Sequence, residues 1–389
     1  MHSSAPSSTS TSTPTSAPSS RSDAGPGRGR PRSGYRGPES HPTDDPVEQD
    51  GVDATHRRPS GGRRALVLGG GGSTGNAWLL GVVAGLSDAG LDVTDADLTV
   101  GTSAGATAAA QLGGATPATL LATALAPVPG RPPTPDGPDR SHGPDRPDGT
   151  DGSGGPHRGH RPEDGPAPGR GPGPASDAGR VRAAEDHLRR MRDLIASATG
   201  VPDLRRRVAA AALEADAASD GLFSQRWRAA VAARLPDPRW PVRTVLLTAL
   251  DARTAEPVLL DRRSGVDLVD AVAASCASGL PHHVAGVPYL DGGYRRGENA
   301  DLAAGYERVV VLAPFGGRSL TPPAWRQDLA AQVEELRAGG SRVATVVPDA
   351  SSEHLFGASA MDLSLRPEAA RAGYAVGTRL VGPLAELWR

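Results

Sequence analysis

Two short apolar runs, each followed at once by glycine and then by a helical pattern, restrict the fold of this chain more than any other feature. Residues 64–68 read Arg-Ala-Leu-Val-Leu and lead into four glycines. Residues 98–100 read Leu-Thr-Val and lead into Gly101, with the alanine-rich stretch 104–112 behind it. A short continuous apolar run before a tight turn is typical of a buried parallel strand. The order strand, turn, helix therefore occurs twice in succession.

The rest of the sequence continues to alternate between strand patterns and helix patterns. Further strands are predicted at 242–250, 258–260, 308–312 and 342–347. Helices are predicted at 76–89, 104–112, 182–198, 204–218, 225–235, 266–277, 324–337 and 367–387. Alternation of this kind favours an α/β fold in which a mainly parallel sheet carries helices on both faces.

Two stretches consist mainly of Pro, Gly, Ser, Thr and charged residues and contain no apolar run. They are residues 1–61 and residues 128–179. Such a composition cannot bury enough apolar surface to offset the entropy of ordering the chain. We therefore predict a disordered tail over 1–61 and a disordered insertion over 128–179. Residues 62–389 would then form one domain that the insertion interrupts.

Charge and apolar content exclude several classes of protein. A formal net charge of -2 gives no general attraction to nucleic acid, so no nucleic-acid partner is expected. The longest apolar run of the folded part, 77–86, is far shorter than the about 18 residues that span a bilayer. Residues 1–61 lack the apolar stretch of a secretory signal, and the single cysteine, Cys276, cannot form an intramolecular disulfide. We expect a cytoplasmic protein without a transmembrane segment.

The sequence Gly101-Thr102-Ser103-Ala104-Gly105 is the first candidate for chemistry. A serine between a strand and a helix is held on a sharp turn with its hydroxyl exposed, and small flanking residues let the turn close. The helix that begins behind Ser103 also favours the anion that forms when the hydroxyl attacks an ester carbonyl. The alternative is a tight turn in which Ser103 only caps the helix.

The glycine-rich segment 69–75 follows the first predicted strand. Glycines let neighbouring backbone amides point toward one place, as an oxyanion hole requires. The same segment contains the dinucleotide-binding pattern Gly70-x-Gly72-x-x-Gly75. However, no second strand ends in an acidic residue at the expected distance, since Asp92 and Asp95 lie in a polar loop. A dinucleotide site remains an alternative to the oxyanion hole.

A third element lies far downstream, where Asp291 ends the apolar run 287–290 and precedes Gly292 and Gly293. The glycine loop, the Gly-x-Ser-x-Gly sequence and Asp-Gly-Gly, in this order, resemble the patatin-like phospholipase family. The segment Ala274-Ser275-Cys276-Ala277, with Pro281 before Asp291, extends the resemblance. It covers essentially the whole predicted folded part of the chain.

The resemblance implies a three-layer α/β/α fold and a serine lipid acyl hydrolase that acts through an acyl-enzyme. Ser103 would be the nucleophile and Asp291 its base, in a catalytic dyad without histidine. The amides of Gly70, Gly71 and Gly72 would form the oxyanion hole. The substrate would be an acyl ester or lipid, reached by peripheral contact with a membrane, and neither a cofactor nor a metal would be needed.

Physical chemistry permits such a dyad, because partial burial raises the pKa of a carboxyl group toward the pH at which it must accept a proton. A triad remains open as an alternative, with Ser103, Asp291 and one of His354, His282 or His283. A protein that binds acyl lipids without turnover is a further alternative. Thr74 stands where the family's loop usually carries Arg or Lys, which leaves the charge preference for the substrate open.

Overall fold

The structure is a computed structural model that describes residues 63–126 and 177–389. The predicted disordered tail (1–61) and nearly all of the predicted insertion (128–179) lie outside the described residues. The last residues assigned to that insertion, 177–179, begin the helix Asp177–Ser197.

The described residues form one central sheet of eight strands, most of them parallel. Four parallel pairings join β3 to β2, β2 to β1, β1 to β7 and β7 to β8, whereas β4, β5 and β6 are antiparallel to their neighbours. The order across the sheet is β5-β6-β3-β2-β1-β7-β8, with β4 paired to β3. The strands are β1 (Arg64–Leu68), β2 (Leu98–Gly101), β3 (Val245–Asp251), β4 (Glu256–Leu260), β5 (His282–Val284), β6 (Val287–Asp291), β7 (Arg308–Leu312) and β8 (Arg342–Val346).

Helices flank this sheet, as the sequence predicts. They are α1 (Gly72–Asp88), α2 (Ala104–Gly114), α3 (Pro117–Leu125), α4 (Asp177–Ser197), α5 (Val201–Ala217), α6 (Phe223–Ala232), α7 (Leu268–Ser275), α8 (Leu329–Ala338) and α9 (Arg366–Trp388). Helix α3 has no counterpart in the sequence prediction, and α1 begins four residues earlier than predicted. The early start matters because it places Gly72 and Gly75 in the first turn of α1.

Alternation along the buried strands supplies apolar side chains to both faces of the sheet. In β1, Leu66 and Leu68 belong to a core cluster with α1, α2, α7 and α9. Ala65 and Val67 belong to a second cluster, with apolar residues of α8. The predicted mainly parallel sheet with flanking helices is thus confirmed, and the arrangement is compatible with three layers.

Helices α1 and α9 pack with their backbones in close contact. A Cβ atom on Gly81 would overlap the carbonyl oxygen of Ala370, and one on Gly373 would overlap the carbonyl oxygen of Trp78. Small residues of this kind let two helix backbones approach closely. The packing fixes the start of α9 beside the first turn of α1. Separately, none of the helices within 63–126 and 177–389 has the length and apolar composition to cross a bilayer.

Candidate active site

Strand order brings the glycine loop next to Ser103. Strands β1 and β2 are parallel neighbours, and Leu68 pairs with Gly101. The loop after Leu68 and the turn after Gly101 therefore leave the sheet at the same carboxyl edge, where open α/β sheets place their ligands. A Cβ atom on Gly70 would lie 3.8 Å from the Cβ atom of Ser103.

Strand register also brings Asp291 to Ser103, although the two residues lie far apart in sequence. Strand β3 separates β2 from β6, and Gly101 pairs with Leu247 on it. Ala249, two residues further along β3, pairs with Asp291. Since Ser103 is likewise two residues beyond Gly101, the serine and the carboxylate reach the same level of the sheet edge. The Ser103 side chain lies close enough to the Asp291 carboxylate to lower the pKa of that group.

Ser103 adopts a backbone conformation that side-chain-bearing residues rarely occupy. Its φ is 53° and its ψ is -113°, and helix α2 begins at the next residue. Such strain is typical of a nucleophile held on a strand-to-helix turn. Gly105 makes the turn possible, because a Cβ atom there would overlap the carbonyl oxygen of Leu68. A side chain on Gly101 would press on Ala106 of the same turn, 2.8 Å away.

The end of helix α7 holds the Ser103 backbone in this conformation. The Ser103 N–H donates to Ser275 Oγ at 3.0 Å, and the Cys276 thiol donates to the Ser103 carbonyl oxygen at 3.0 Å. Burial and the nearby Asp291 charge raise the pKa of Cys276 to about 12, so the thiol remains a donor. Ser275 and Cys276 therefore hold the backbone N–H and the backbone carbonyl group of Ser103 in place.

Asp291 has the environment that a general base at neutral pH requires. Its exposed fraction is 8%, and burial raises its pKa from 3.8 to about 6, against the lowering effect of the Gly293 amide and the Ser103 side chain. The Gly293 N–H donates to Asp291 Oδ1 at 2.8 Å. Gly292 packs so closely on β3 that a Cβ atom would overlap Thr248. The two glycines thus hold the carboxylate against the sheet.

The glycine loop offers two unpaired amides rather than three. The Gly70 N–H donates to the carbonyl oxygen of Gly297 at 3.0 Å, so it is already occupied. The amides of Gly71 and Gly72 have no acceptor among the described residues, because Gly71 caps helix α1 and Gly72 begins it. The first amides of a helix lack an intrahelical partner and favour anions. Gly75 instead donates to the Gly71 carbonyl oxygen at 2.9 Å.

Asn299 joins the segments that carry the two candidate catalytic residues. The side chain is fully buried, and its Nδ2 atom lies 3.0 Å from Thr102 Oγ1 and 3.3 Å from Thr248 Oγ1. The same atom donates to the carbonyl oxygens of Gly292, at 3.1 Å, and Arg296, at 2.7 Å. One amide group therefore links the residue before Ser103 to the residue after Asp291.

A second buried carboxyl lies beneath the glycine loop. Glu298 has an exposed fraction of 3%, and burial raises its pKa to about 7. Its Cγ atom would lie 3.1 Å from a Cβ atom on Gly69. Its hydrogen-bond partner is the Gln332 side chain, at 3.5 Å.

The three histidines considered for a triad contact other groups. His282 Nδ1 lies 2.8 Å from Ser224 Oγ, and its Nε2 lies 2.9 Å from Asp270 Oδ1. His283 pairs with Asp216, and His354 pairs with Glu368. In the described part of the chain, none of them hydrogen bonds to Ser103 or Asp291.

The dinucleotide pattern also lacks its expected partner in space. Strand β2, next to β1, ends at Gly101 and continues into Thr102 and Ser103, where a dinucleotide site would carry an acidic residue. Asp92 accepts hydrogen bonds from Thr94, and Asp95 pairs with Arg64. The position that would bind a ribose hydroxyl is therefore occupied by the candidate nucleophile's turn.

Sequence reasoning gave no role to Asn299 or Arg366, both of which contact the site. Arg366 binds Ser73 in the first turn of α1. An asparagine in a Gly-Glu-Asn loop is a weak signal for a left-handed residue, and Asn299 has φ 55°. Nothing near Arg366 in the sequence points to the glycine loop. In comparisons with known proteins, no family model matches the chain and no curated protein matches it.

Proposed function

We propose that this chain is a serine hydrolase of acyl esters that uses Ser103 as nucleophile and Asp291 as general base. The observation that carries the proposal is the strained Ser103, which strand register brings to the level of the buried Asp291 carboxylate. It lies at the sheet edge where two glycine amides lack an acceptor among the described residues. These are the nucleophile, base and oxyanion donors of acyl transfer. The choice of an acyl lipid as substrate, and of a three-layer patatin-like fold, follows the resemblance to patatin-like phospholipases.

In the first step, Ser103 Oγ forms a bond to the carbonyl carbon of the ester, and its proton passes to the Asp291 carboxylate. The carbonyl oxygen becomes an oxyanion near the amides of Gly71 and Gly72, at the positive end of helix α1. The bond to the alcohol oxygen then breaks, and Asp291 returns the proton to that oxygen. The alcohol leaves and an acyl-enzyme remains.

In the second step, a water molecule is the nucleophile that attacks the acyl-enzyme. Asp291 takes a proton from the water as it attacks the acyl carbon, and gives it back to Ser103 Oγ as the acyl bond breaks. The carboxylic acid is released and the free serine is restored. A pKa of about 6 keeps Asp291 ionised at neutral pH and still basic enough to act in both steps.

The test is covalent labelling by a fluorophosphonate probe, which reacts with activated serines. We expect the purified full-length chain to be labelled, and Ser103→Ala to lose labelling together with at least about a thousandfold in kcat on a p-nitrophenyl acyl ester. Ser224→Ala is the matched control, because Ser224 is a serine that hydrogen bonds to a possible general base, the His282 ring. The control should keep both labelling and turnover.

Two results would contradict the proposal. Labelling that survives Ser103→Ala and disappears in Ser224→Ala would place the nucleophile at the other serine. A correctly folded chain that is neither labelled nor active would favour the binding of acyl lipids without turnover.

A further inference from the structure

Arg366, the first residue of helix α9, contacts the glycine loop through neutral groups. Its Nη1 donates to the Ser73 carbonyl oxygen at 2.7 Å and to Ser73 Oγ at 3.2 Å. Its Nη2 donates to Asn76 Oδ1 at 3.2 Å. The guanidinium therefore lies against the first turn of helix α1, where the candidate oxyanion amides are.

Within the described residues, the Arg366 guanidinium has no carboxylate partner. Of the carboxylates in residues 63–126 and 177–389, none lies within ion-pair distance of Arg366, whereas many arginines in these ranges have such a partner. Burial and the nearby Arg234 charge lower the pKa of Arg366 to about 10, which still leaves it cationic at neutral pH. Arg366 is partly buried, and a partly buried cation without a neighbouring anion favours an anionic ligand.

Arg234 is a second arginine without a carboxylate partner in the described part of the chain. It is an exposed residue, and polar contacts connect its backbone to Arg366. Asn76 Nδ2 donates to Gln111 Oε1 at 2.9 Å, and Gln111 Nε2 donates to the Arg234 carbonyl oxygen at 3.1 Å. The Arg234 guanidinium lies over the ring of Trp227, 5.5 Å from its centre. The ring holds the side chain without cancelling its charge.

Each arginine is related to the turn of the candidate nucleophile through one intermediate residue, Asn76 for Arg366 and Cys276 for Arg234. Asn76 Nδ2 lies 3.4 Å from the carbonyl oxygen of Ala104, the residue after Ser103. Arg234 lies close enough to Cys276, which contacts Ser103, to affect the thiol electrostatically.

Thr74, in the glycine-rich segment 69–75, supplies no positive charge to the site. Its side chain is fully buried, and its hydroxyl donates to the Leu355 carbonyl oxygen at 2.7 Å.

We propose that Arg366 and Arg234 form an anion-binding subsite beside Ser103, and that the ester substrate carries a phosphate or carboxylate group. This inference rests on the proposed hydrolase function and specifies its substrate class. Arginine suits the role, since its planar donors match the oxygens of either anion. Helices α1 and α2 add the positive ends of their dipoles, and neither has an acidic residue in its first turn.

The first test compares two p-nitrophenyl esters with acyl chains of equal length, one ending in a methyl group and one in a carboxylate. The measured quantity is the ratio of kcat/KM for the anionic ester to that for the neutral ester. We expect Arg366→Gln to lower the ratio by at least about tenfold, mainly through KM, and Arg234→Gln to lower it by a smaller factor. Arg366→Lys should restore part of the ratio.

Arg371→Gln is the matched control, because Arg371 is an exposed arginine on the same helix. It should leave the ratio within about twofold of the unmodified chain. Thermal unfolding of each variant separates loss of the subsite from loss of the fold. If folded Arg366→Gln and Arg234→Gln both keep the original ratio within that margin, the inference is overturned.

A binding measurement makes the inference independent of turnover. Inorganic phosphate is titrated into the full-length chain by calorimetry, and we expect Arg366→Gln to weaken its binding by at least about tenfold. Competition by phosphate against the anionic ester alone would identify phosphate as the preferred group, and lack of competition would identify carboxylate. If the chain hydrolyses neither ester, the hydrolase proposal fails, and phosphate binding that depends on Arg366 still supports the subsite. Equal or absent phosphate binding in both proteins would then refute it.

Discussion

Two serine clusters in this molecule differ in an instructive way. Ser224, His282 and Asp270 form a continuous hydrogen-bonded chain, with distances of 2.8 Å and 2.9 Å. These are the residue types of a hydrolase triad. Ser103 has only Asp291, yet it is the serine whose surroundings match acyl transfer.

The difference lies in the backbone and in what remains unpaired. Ser103 has a positive φ and follows the strand next to the one that leads into the glycine loop, whereas Ser224 lies in the first turn of helix α6 and already accepts the His283 N–H at 2.9 Å. Asp270 also accepts from Arg228 Nε at 2.8 Å. In the His282 cluster the polar groups satisfy one another and tie α6 to α7 and β5. An active site is instead typically marked by backbone strain and by hydrogen-bond donors that have no acceptor within the protein.

Replacing the two aspartates should separate the clusters most strongly. We expect Asp291→Asn to lower kcat on an acyl ester by at least about a hundredfold, because the amide cannot accept the serine proton. Asp270→Asn should change kcat by less than about threefold, since the proposed reaction does not use its cluster. Steady-state kinetics of both variants make the comparison. A larger loss in Asp270→Asn would reverse the assignment of the two clusters.

The pH dependence of kcat/KM gives the next test. Asp291 must be ionised to accept a proton, and burial raises its pKa to about 6. We expect kcat/KM to rise about tenfold per pH unit below this value and to level off above it.

Two other buried groups have shifted pKa values, so two control variants are needed. Burial lowers the pKa of His282 below 6.5, and burial raises that of Glu298 to about 7. His282→Gln and Glu298→Gln should each keep the limb near pH 6. A limb that disappears in His282→Gln would indicate that the histidine cluster is the catalytic one.

The sequence carries the parts of the site that depend on local geometry. Ser103 and the glycine loop follow strands directly, so their meeting at one sheet edge is predictable from a parallel pairing of β1 and β2. Asp291 could be selected from the sequence only through the resemblance to patatin-like phospholipases. Its antiparallel strand β6 reaches the site through its register with β3, which no local pattern predicts. The predicted start of α1 at residue 76 is wrong, because the low helix propensity of glycine favours a loop over 72–75, whereas these residues form the first turn of α1.

Residues that reach the site through distant packing could not be predicted. Arg366 meets Ser73 because glycines let α9 approach α1 closely, a contact that no local pattern encodes. The occupied state of the Gly70 amide likewise depends on where Gly297 comes to lie.

Asn299 should have an intermediate effect, because it acts on Ser103 and Asp291 only through their neighbours. We expect Asn299→Ala to lower kcat by about tenfold with little change in KM, and Asn299→Asp to lower it further. The aspartate would direct carboxylate oxygens at the carbonyl oxygens of Gly292 and Arg296, which the native amide now contacts as a donor. The pH limb near 6 should shift in Asn299→Asp, which a merely destabilised protein would not show. An unchanged kcat in folded Asn299→Ala would contradict this positioning role.

The free energy of unfolding should also distinguish Asp291 from Asp270. Asp291→Asn, which should lose the most activity, is expected to gain stability, whereas Asp270→Asn is expected to lose stability. The pKa of Asp291 is raised in the folded chain from 3.8 to about 6, so the stability that the protonated form provides is complete below 3.8 and is lost as the pH rises through 6. An amide in place of this carboxyl group is a neutral mimic of the protonated form. Asp291→Asn should therefore be more stable than the native chain above pH 6, by up to roughly 3 kcal/mol. The gain should vanish near pH 4.

Asp270→Asn should show no such gain. It removes an ion pair with the half-exposed Arg228 and the charged acceptor of the buried His282, which costs about 1 to 3 kcal/mol at neutral pH. Denaturant unfolding of both variants at pH 4 and pH 8 measures the two differences. A buried carboxylate at a functional site destabilises the fold, so replacing it with a neutral amide should increase the free energy of unfolding. Replacing a carboxylate that links two helices should not. Destabilisation by Asp291→Asn at pH 8 would therefore assign Asp291 to the structural class.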